Sequence, residues 1–157
     1  MNIFVLDRDI DACARFHCDQ HVVKMTLESA QIICSAFFLH GFDTPYRPTH
    51  LRHPCVLWAA ESYANLRWLR SLAEALNREY RYRYEKAVDH KSIDVISATS
   101  TMEYPDGGLT PYALAMPDRY RSKDPVRAYR RYYRSEKLRF ARWTRREIPE
   151  WVGDVYG

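Results

Sequence analysis

Side chains with chemistry to offer recur along one short stretch: His17, His21, Lys24, Glu28, Gln31 and Ser35. On a helix, at about 100° per residue, they share one narrow face. Two histidines four apart, an amine, a carboxylate and an amide on one line can run general acid–base catalysis. They can equally stabilise a developing cation, or hold a lysine beside a carboxylate for covalent work. The same set read structurally is a buried salt-bridge network, with Lys24 and Glu28 paired at i,i+4 and His21 satisfied nearby. The intervening residues, among them Val22, Met25, Leu27, Ile32, Ile33 and Phe37, are apolar. A surface helix has the reverse proportions. The pattern predicts a buried active-site helix whose thin polar line faces a cavity, since such groups are costly to bury unless paired, wetted or at work.

A second cluster lies in Tyr46–Cys55, which carries Arg47, His50, Arg52 and His53 together with Pro48 and Pro54. Prolines lower the entropy lost in holding a loop still. Either His50 or His53 returns to the His17/His21 line, or the arginines grip a phosphate. In the plainer alternative His53 caps the following helix and His50 is exposed. Gln20, Gln31 and Asn65 complete the candidates for substrate contact. The histidines with Glu28 also suit zinc or iron, but Cys18 follows His17, so no HExxH pattern exists. The favoured reading needs neither metal nor cofactor.

These residues need elements to position them. A helix is expected from Asp9 or Asp11, or restarting at His17, to about His40, with Gly41 as its stop. Residues 42–53 form a loop. Pro54 opens a long helix to about Tyr84, 89–100 adds a short one, and 101–125 is a long ordered loop. Asp124-Pro125 caps a last helix over roughly 125–146, and the tail with Pro149 and Trp151 packs on the body. Five glycines are too few for a sandwich or barrel. The expectation is an all-α, compact single-domain helical bundle over 1–157, with long ordered loops.

At 157 residues and 46% hydrophobic composition the chain can bury a real core. It has no run of 18 apolar residues and no secretory leader pattern, and Cys13, Cys18, Cys34 and Cys55 show no CxxC spacing. A reduced, cytoplasmic monomer away from any membrane is the expectation. The net charge of +4 hides a split, because residues 119–146 hold 12 Lys/Arg against only Asp124 and Glu136. Arginine dominates there, interleaved with Tyr129, Tyr132, Tyr133, Phe140 and Trp143, which favours bidentate phosphate contact and stacking. Arg127, Arg130, Arg131, Arg134 and Arg142 are the candidate nucleic-acid contacts, with a solvated face pairing with acidic residues as the alternative.

Asp19-Gln20-His21, followed seven residues later by Glu28 near the start of a small basic helical protein, resembles the phage pyrimidine-dimer DNA glycosylase family. The resemblance covers about ten residues. It implies a compact helical enzyme whose N-terminal α-amine attacks a sugar C1′, forms a Schiff base, releases a base and can nick the strand. Carried over, Met1 supplies the amine, Glu28 stabilises the sugar cation and moves protons, and His21 contacts the DNA. An unperturbed α-amine, with pKa about 7.7–8.0, has a neutral fraction at physiological pH. Leu27 and Gln31 stand where the family carries arginine, and the stretch before the triplet is longer. Were the amine out of reach, Lys24 would substitute, with burial depressing its pKa.

The reading taken forward is a DNA N-glycosylase or glycosylase/lyase of a phage or its bacterial host. Its alternatives are a metal-dependent or nucleotide-directed enzyme using His17, His21, Glu28, His50 and His53, and a non-catalytic nucleic-acid-binding phage factor.

Overall fold

The computed structural model describes residues 1–153, and within them the protein is all-α. Seven α-helices follow an extended N-terminal segment: α1 Ile10–Phe16, α2 Asp19–Leu39, α3 Pro54–Glu61, α4 Tyr63–Arg83, α5 Ser92–Ala98, α6 Pro125–Glu136 and α7 Glu150–Gly153. A 3₁₀ turn at Asp118–Tyr120 precedes α6. Helices α2 and α4 are the long central pair, and α1, α3 and α5 pack against them. The segment Asn2–Leu6 is buried and runs through the core. Composition alone would let α2 cross a membrane, but 67% of its most apolar window is buried within the fold. All four cysteines are free and buried, as small core residues.

Helix ends follow local chemistry where the sequence supplies it. Asp9 accepts from the Ala12 N–H at 2.9 Å to start α1. The end of α2 is a Schellman turn: Gly41 at φ +89° directs its N–H to Phe38 O, and Phe42 N–H bonds Phe37 O. The Phe37 and Phe42 rings pack at 5.6 Å across it. Pro54 sits in the first turn of α3, and Asp124 caps α6.

Three boundaries differ from expectation, each for a tertiary reason. The first helix is broken, because His17 and Cys18 are extended, with ψ 137° and 163°. Tyr133 accommodates the Cys18 N–H at 2.9 Å and Arg142 O takes that of Asp19 at 2.7 Å, so the new helix start is satisfied from afar. The long helix from Pro54 breaks at Ser62, whose hydroxyl accepts from the N–H groups of Ala64 and Gly107. Helix α6 stops at Glu136 rather than near 146. The chain beyond gives Trp143 Nε1–H to Phe16 O and Thr144 N–H to Asp19, both at the α1–α2 break.

Arg83 holds that break together. Its side chain is fully buried and donates to Arg15 O at 2.8 Å, His17 O at 2.7 Å, Asp19 Oδ1 at 3.2 Å and Glu79 Oε1 at 3.0 Å. It therefore satisfies the last carbonyls of α1 while neutralising two carboxylates. Arg83→Met is expected to lower unfolding free energy by about 3–5 kcal/mol, because it leaves buried acceptors and charge unpaired. A lowered urea midpoint is the readout, and an unchanged midpoint would remove Arg83 from this role.

Candidate active site

The extended segment has no strand partner, so its polar groups are met one at a time. Asn2 is the clamp. Its Nδ2 donates to Ala115 O at 2.8 Å, while Oδ1 accepts from its neighbour Ile3 N–H at 2.8 Å. The Tyr129 hydroxyl of α6 lies 3.1 Å from that same Oδ1 and 2.7 Å from Ala113 O. Two residues further on, Phe4 stacks on His21 with ring centroids 4.8 Å apart.

With Asn2 fixed, residue 1 emerges at Glu28. The Met1 α-amine stands 3.1 Å from Glu28 Oε1, which also accepts the Asn2 backbone N–H at 3.1 Å. The Glu28 side chain is 9% exposed and that of Met1 4%. Met1 as a whole is half-buried, so the part of it that meets solvent is its backbone. Glu28 Oε2 is buried and has no hydrogen-bond donor among the described residues. A nucleophilic amine, a carboxylate on it and a spare acceptor are thus gathered at one point.

Around this pair the structure brings together some of the sequence candidates. Lys24 Nζ is 3.9 Å from Glu28 Oε2 but is 65% exposed, so the burial on which a lysine nucleophile relied is absent. His53 does two things. Its Nδ1 accepts from Cys55 N–H and starts α3, and its ring lies close enough to Met1 to feel the terminal charge. Burial, then the Met1 amine and His50, hold its pKa below the ordinary value against the Met1 carbonyl and Glu28. The loop is pinned to α2 by Ser35, which donates to Thr49 O and accepts from Thr49 N–H. His50 follows in left-handed backbone at φ 51° and is exposed, as is Arg47. Gln31 is half-buried one turn beyond Glu28, and Gln20 is exposed in the first turn of α2.

Other candidates are placed elsewhere. His17 precedes α2, so it does not continue the polar line. It is wholly buried, with Nδ1 2.7 Å from Cys13 O. His21 is buried among Phe4, Tyr133 and Phe140, its ring stacked on the N-terminal segment. Asn65 is a structural residue, joined to Trp58 O and twice to Thr110. Of the α6 arginines, Arg130 holds Leu6 O and Asp7, Arg131 reaches Arg119 O, and Arg134 donates to Trp151 O. Arg127 and Arg142 are exposed, with no side-chain partner among the described residues.

Asn2, Tyr129, Phe4 and Lys137 complete the surroundings, and the sequence pattern placed none of the four beside Glu28. The Asn2 signal was a polar residue directly before an apolar run. Among the described residues no three His, Cys, Asp or Glu side chains gather as a metal-ligand set. A cleft of about 770 Å³, lined by Arg15, Phe16, Arg130, Arg146 and Trp151 among others, does not include Met1 or Glu28. No family model, curated protein or solved structure matches the chain.

The buried histidines give the site a pH signature. Burial holds His17 at about 4 and His21 at about 3, whereas unfolded rings titrate near 6.5. Above pH 6.5 neither state binds these protons. Below it the unfolded chain takes up protons that the folded chain refuses, so stability is lost progressively down to about pH 4 for His17 and about pH 3 for His21. The urea midpoint is expected to fall from pH 7 to 4.5, and His21→Phe, which keeps a ring on Phe4, to flatten that fall. Equal slopes in the two proteins would contradict a neutral buried His21.

Proposed function

We propose that the protein is a DNA base N-glycosylase with lyase activity, using the Met1 α-amine as nucleophile and Glu28 as its acid–base partner. The observation that carries this reading is the 3.1 Å contact of the amine with a nearly buried carboxylate whose second oxygen has no donor. The resemblance of Asp19-Gln20-His21 and Glu28 to the pyrimidine-dimer glycosylases adds to it.

The neutral amine attacks C1′ of a deoxynucleotide. The C1′–N bond breaks, and the base leaves with that electron pair and takes up a proton. The C1′–O4′ bond then opens, O4′ is protonated, and the amine nitrogen becomes an imine to C1′. Glu28 accepts the proton lost from the amine, returns one at O4′, and offsets positive charge at C1′. Removal of a C2′ proton expels the 3′ phosphate, and water frees Met1. Asn2 acts as a positioning residue, because its clamp sets where the amine stands. Since the pair is recessed, the reacting nucleotide has to leave a base stack to reach it.

Borohydride trapping tests the reading. Wild-type protein mixed with ultraviolet-treated or base-modified duplex and reductant is expected to give a covalent protein–DNA band. Glu28→Gln should weaken it by about a hundred-fold or more, an N-terminal extension before Met1 should abolish it, and Lys24→Ala should retain it. Peptide mapping should place the adduct on Met1. A band on Lys24 would overturn the choice of nucleophile. The absence of any band over a panel of modified duplexes would reduce Met1–Glu28 to a structural ion pair, leaving a nucleic-acid-binding protein.

A further inference from the structure

Many cations of this basic chain are used internally. Arg83 and Arg146 share Glu79, Arg130 holds Asp7, and Arg145 holds Glu85. Near Glu28 the balance is different. Lys137 has no carboxylate partner among the described residues, because the adjacent Glu136 is engaged by Arg119 at 2.7 Å and Tyr120 at 2.9 Å. Its ammonium stands over Tyr132 at 5.0 Å and Phe4 at 5.8 Å, and Phe4 in turn stacks on His21, one turn before Lys24. Burial, then the like charges of Lys24 and Arg139, hold its pKa below the ordinary lysine value against the Glu136 carboxylate. Arg139 is exposed and lies 6.0 Å from the Phe140 ring.

A second group of cations sits on the pinned loop. Arg47 and Arg52 are exposed without partners among the described residues, and His53 brings the end of that loop to Met1. From the first group Lys24 reaches Glu28, and at the end of the second His53 is close enough to feel it. There the carboxylate already faces the Met1 amine at 3.1 Å, with Lys24 at 3.9 Å from its other oxygen. Glu28 is shared by the Met1 amine and Lys24, so repulsion among Lys24, Lys137 and Arg139 is only partly offset, and a polyanion relieves the remainder.

We propose that Lys24, Lys137 and Arg139 on one flank, and Arg47 and Arg52 on the other, form a phosphate track that carries a DNA strand across the Met1–Glu28 pair. The inference rests on the glycosylase reading for what the strand meets at the centre, but not for its binding. It replaces the α6 face as the principal grip, since Arg130 and Arg134 are committed to the fold. Aromatic faces at Tyr132 and Phe140 beside the first flank suit bases or sugars. An anionic membrane is the poorer partner, because the exposed apolar pair Phe38–Leu39 lies at the far end of α2 from Lys24.

Salt dependence of binding tests this without needing turnover. Fluorescence anisotropy with an unmodified duplex would be read between 50 and 200 mM salt, concentrations spanning a roughly 10³–10⁵-fold loss when many phosphates are contacted. The triple variant K24A/K137A/R139A is expected to lower the log–log salt slope by about 2–3, and R47A/R52A by about 1–2, at about 0.9 per contact. The comparator K123A/R127A, at the start of α6 and just before it, should leave the slope unchanged, and circular dichroism checks that each variant is folded. A slope carried by K123A/R127A, or tight binding to anionic vesicles with none to DNA, would overturn the track. Glu28→Gln should bind DNA at least as well as wild type while losing the trapped band. Normal slopes without any trapped band therefore sink the chemistry alone, and trapping with slopes insensitive to the five cations sinks the track alone.

Discussion

The ion pair between the Met1 amine and Glu28 is the constraint around which the rest is arranged. A chain terminus carries a full charge, and placing it against the core without a partner would be strongly unfavourable. Glu28 supplies the opposite charge from the middle of α2, and the same oxygen takes the Asn2 N–H. An extended segment inside an all-helical protein has the further difficulty that no ladder satisfies its backbone. Here side chains do that work: Asn2 bonds Ile3 N–H, Cys13 Sγ lies 3.2 Å from Phe4 O, and Arg130 Nε donates to Leu6 O. Partners from α1, α2 and α6, and from the loop before α6, thus converge on six residues, and the position of the amine follows from them.

A second polar assembly explains where much of the basic charge goes. Asp19, Glu79, Arg83 and Arg146 form a network at the α1–α2 break, with Arg146 bonding both Glu79 oxygens at 2.9 and 2.7 Å. Thr144 and Trp143 add contacts to the same break. The arginine-rich segment after α5 is therefore in large part a strap that closes the fold over its N-terminal half. A charge excess in sequence counts cations, and only the pairing pattern tells which are available to a ligand. That is why Lys137 and Arg139 matter more near Glu28 than the more conspicuous arginines of α6.

The legible parts of this sequence were those decided locally. Gly41, Pro54 and Asp124 mark their helix ends because left-handed backbone, a missing N–H and a short carboxylate each have one favoured place. Glu28 stood out as a carboxylate on an apolar helix, and it is the centre of the site. What stayed illegible was decided at a distance. Nothing in Lys137–Arg146 forbids helix, yet Asp19, Phe16 and Glu79 draw that stretch away from it. His17 shares the spacing of the polar line but lies before the helix start, because Tyr133 and Arg142, over a hundred residues on, satisfy the break. Asn2 carried little signal, since its role exists only once Tyr129 and Ala115 are in place.

On the proposed reading the same ion pair serves stability and chemistry, and its details separate the two. A pair kept only for folding gains by being fully satisfied, and burying charge at all is often no better than a well-packed apolar contact. Here Glu28 Oε2 has no hydrogen bond, Lys24 approaches only to 3.9 Å and remains mostly in solvent, and the backbone end of Met1 is left accessible. These are imperfections for a structural role and requirements for a reactive one. An attacking amine must be reachable, its partner must have an acceptor to spare, and the nearby cations must be free to meet the anion that brings the substrate. The unsatisfied oxygen of Glu28 and the partly offset cations beyond it are two features of one arrangement around residue 1.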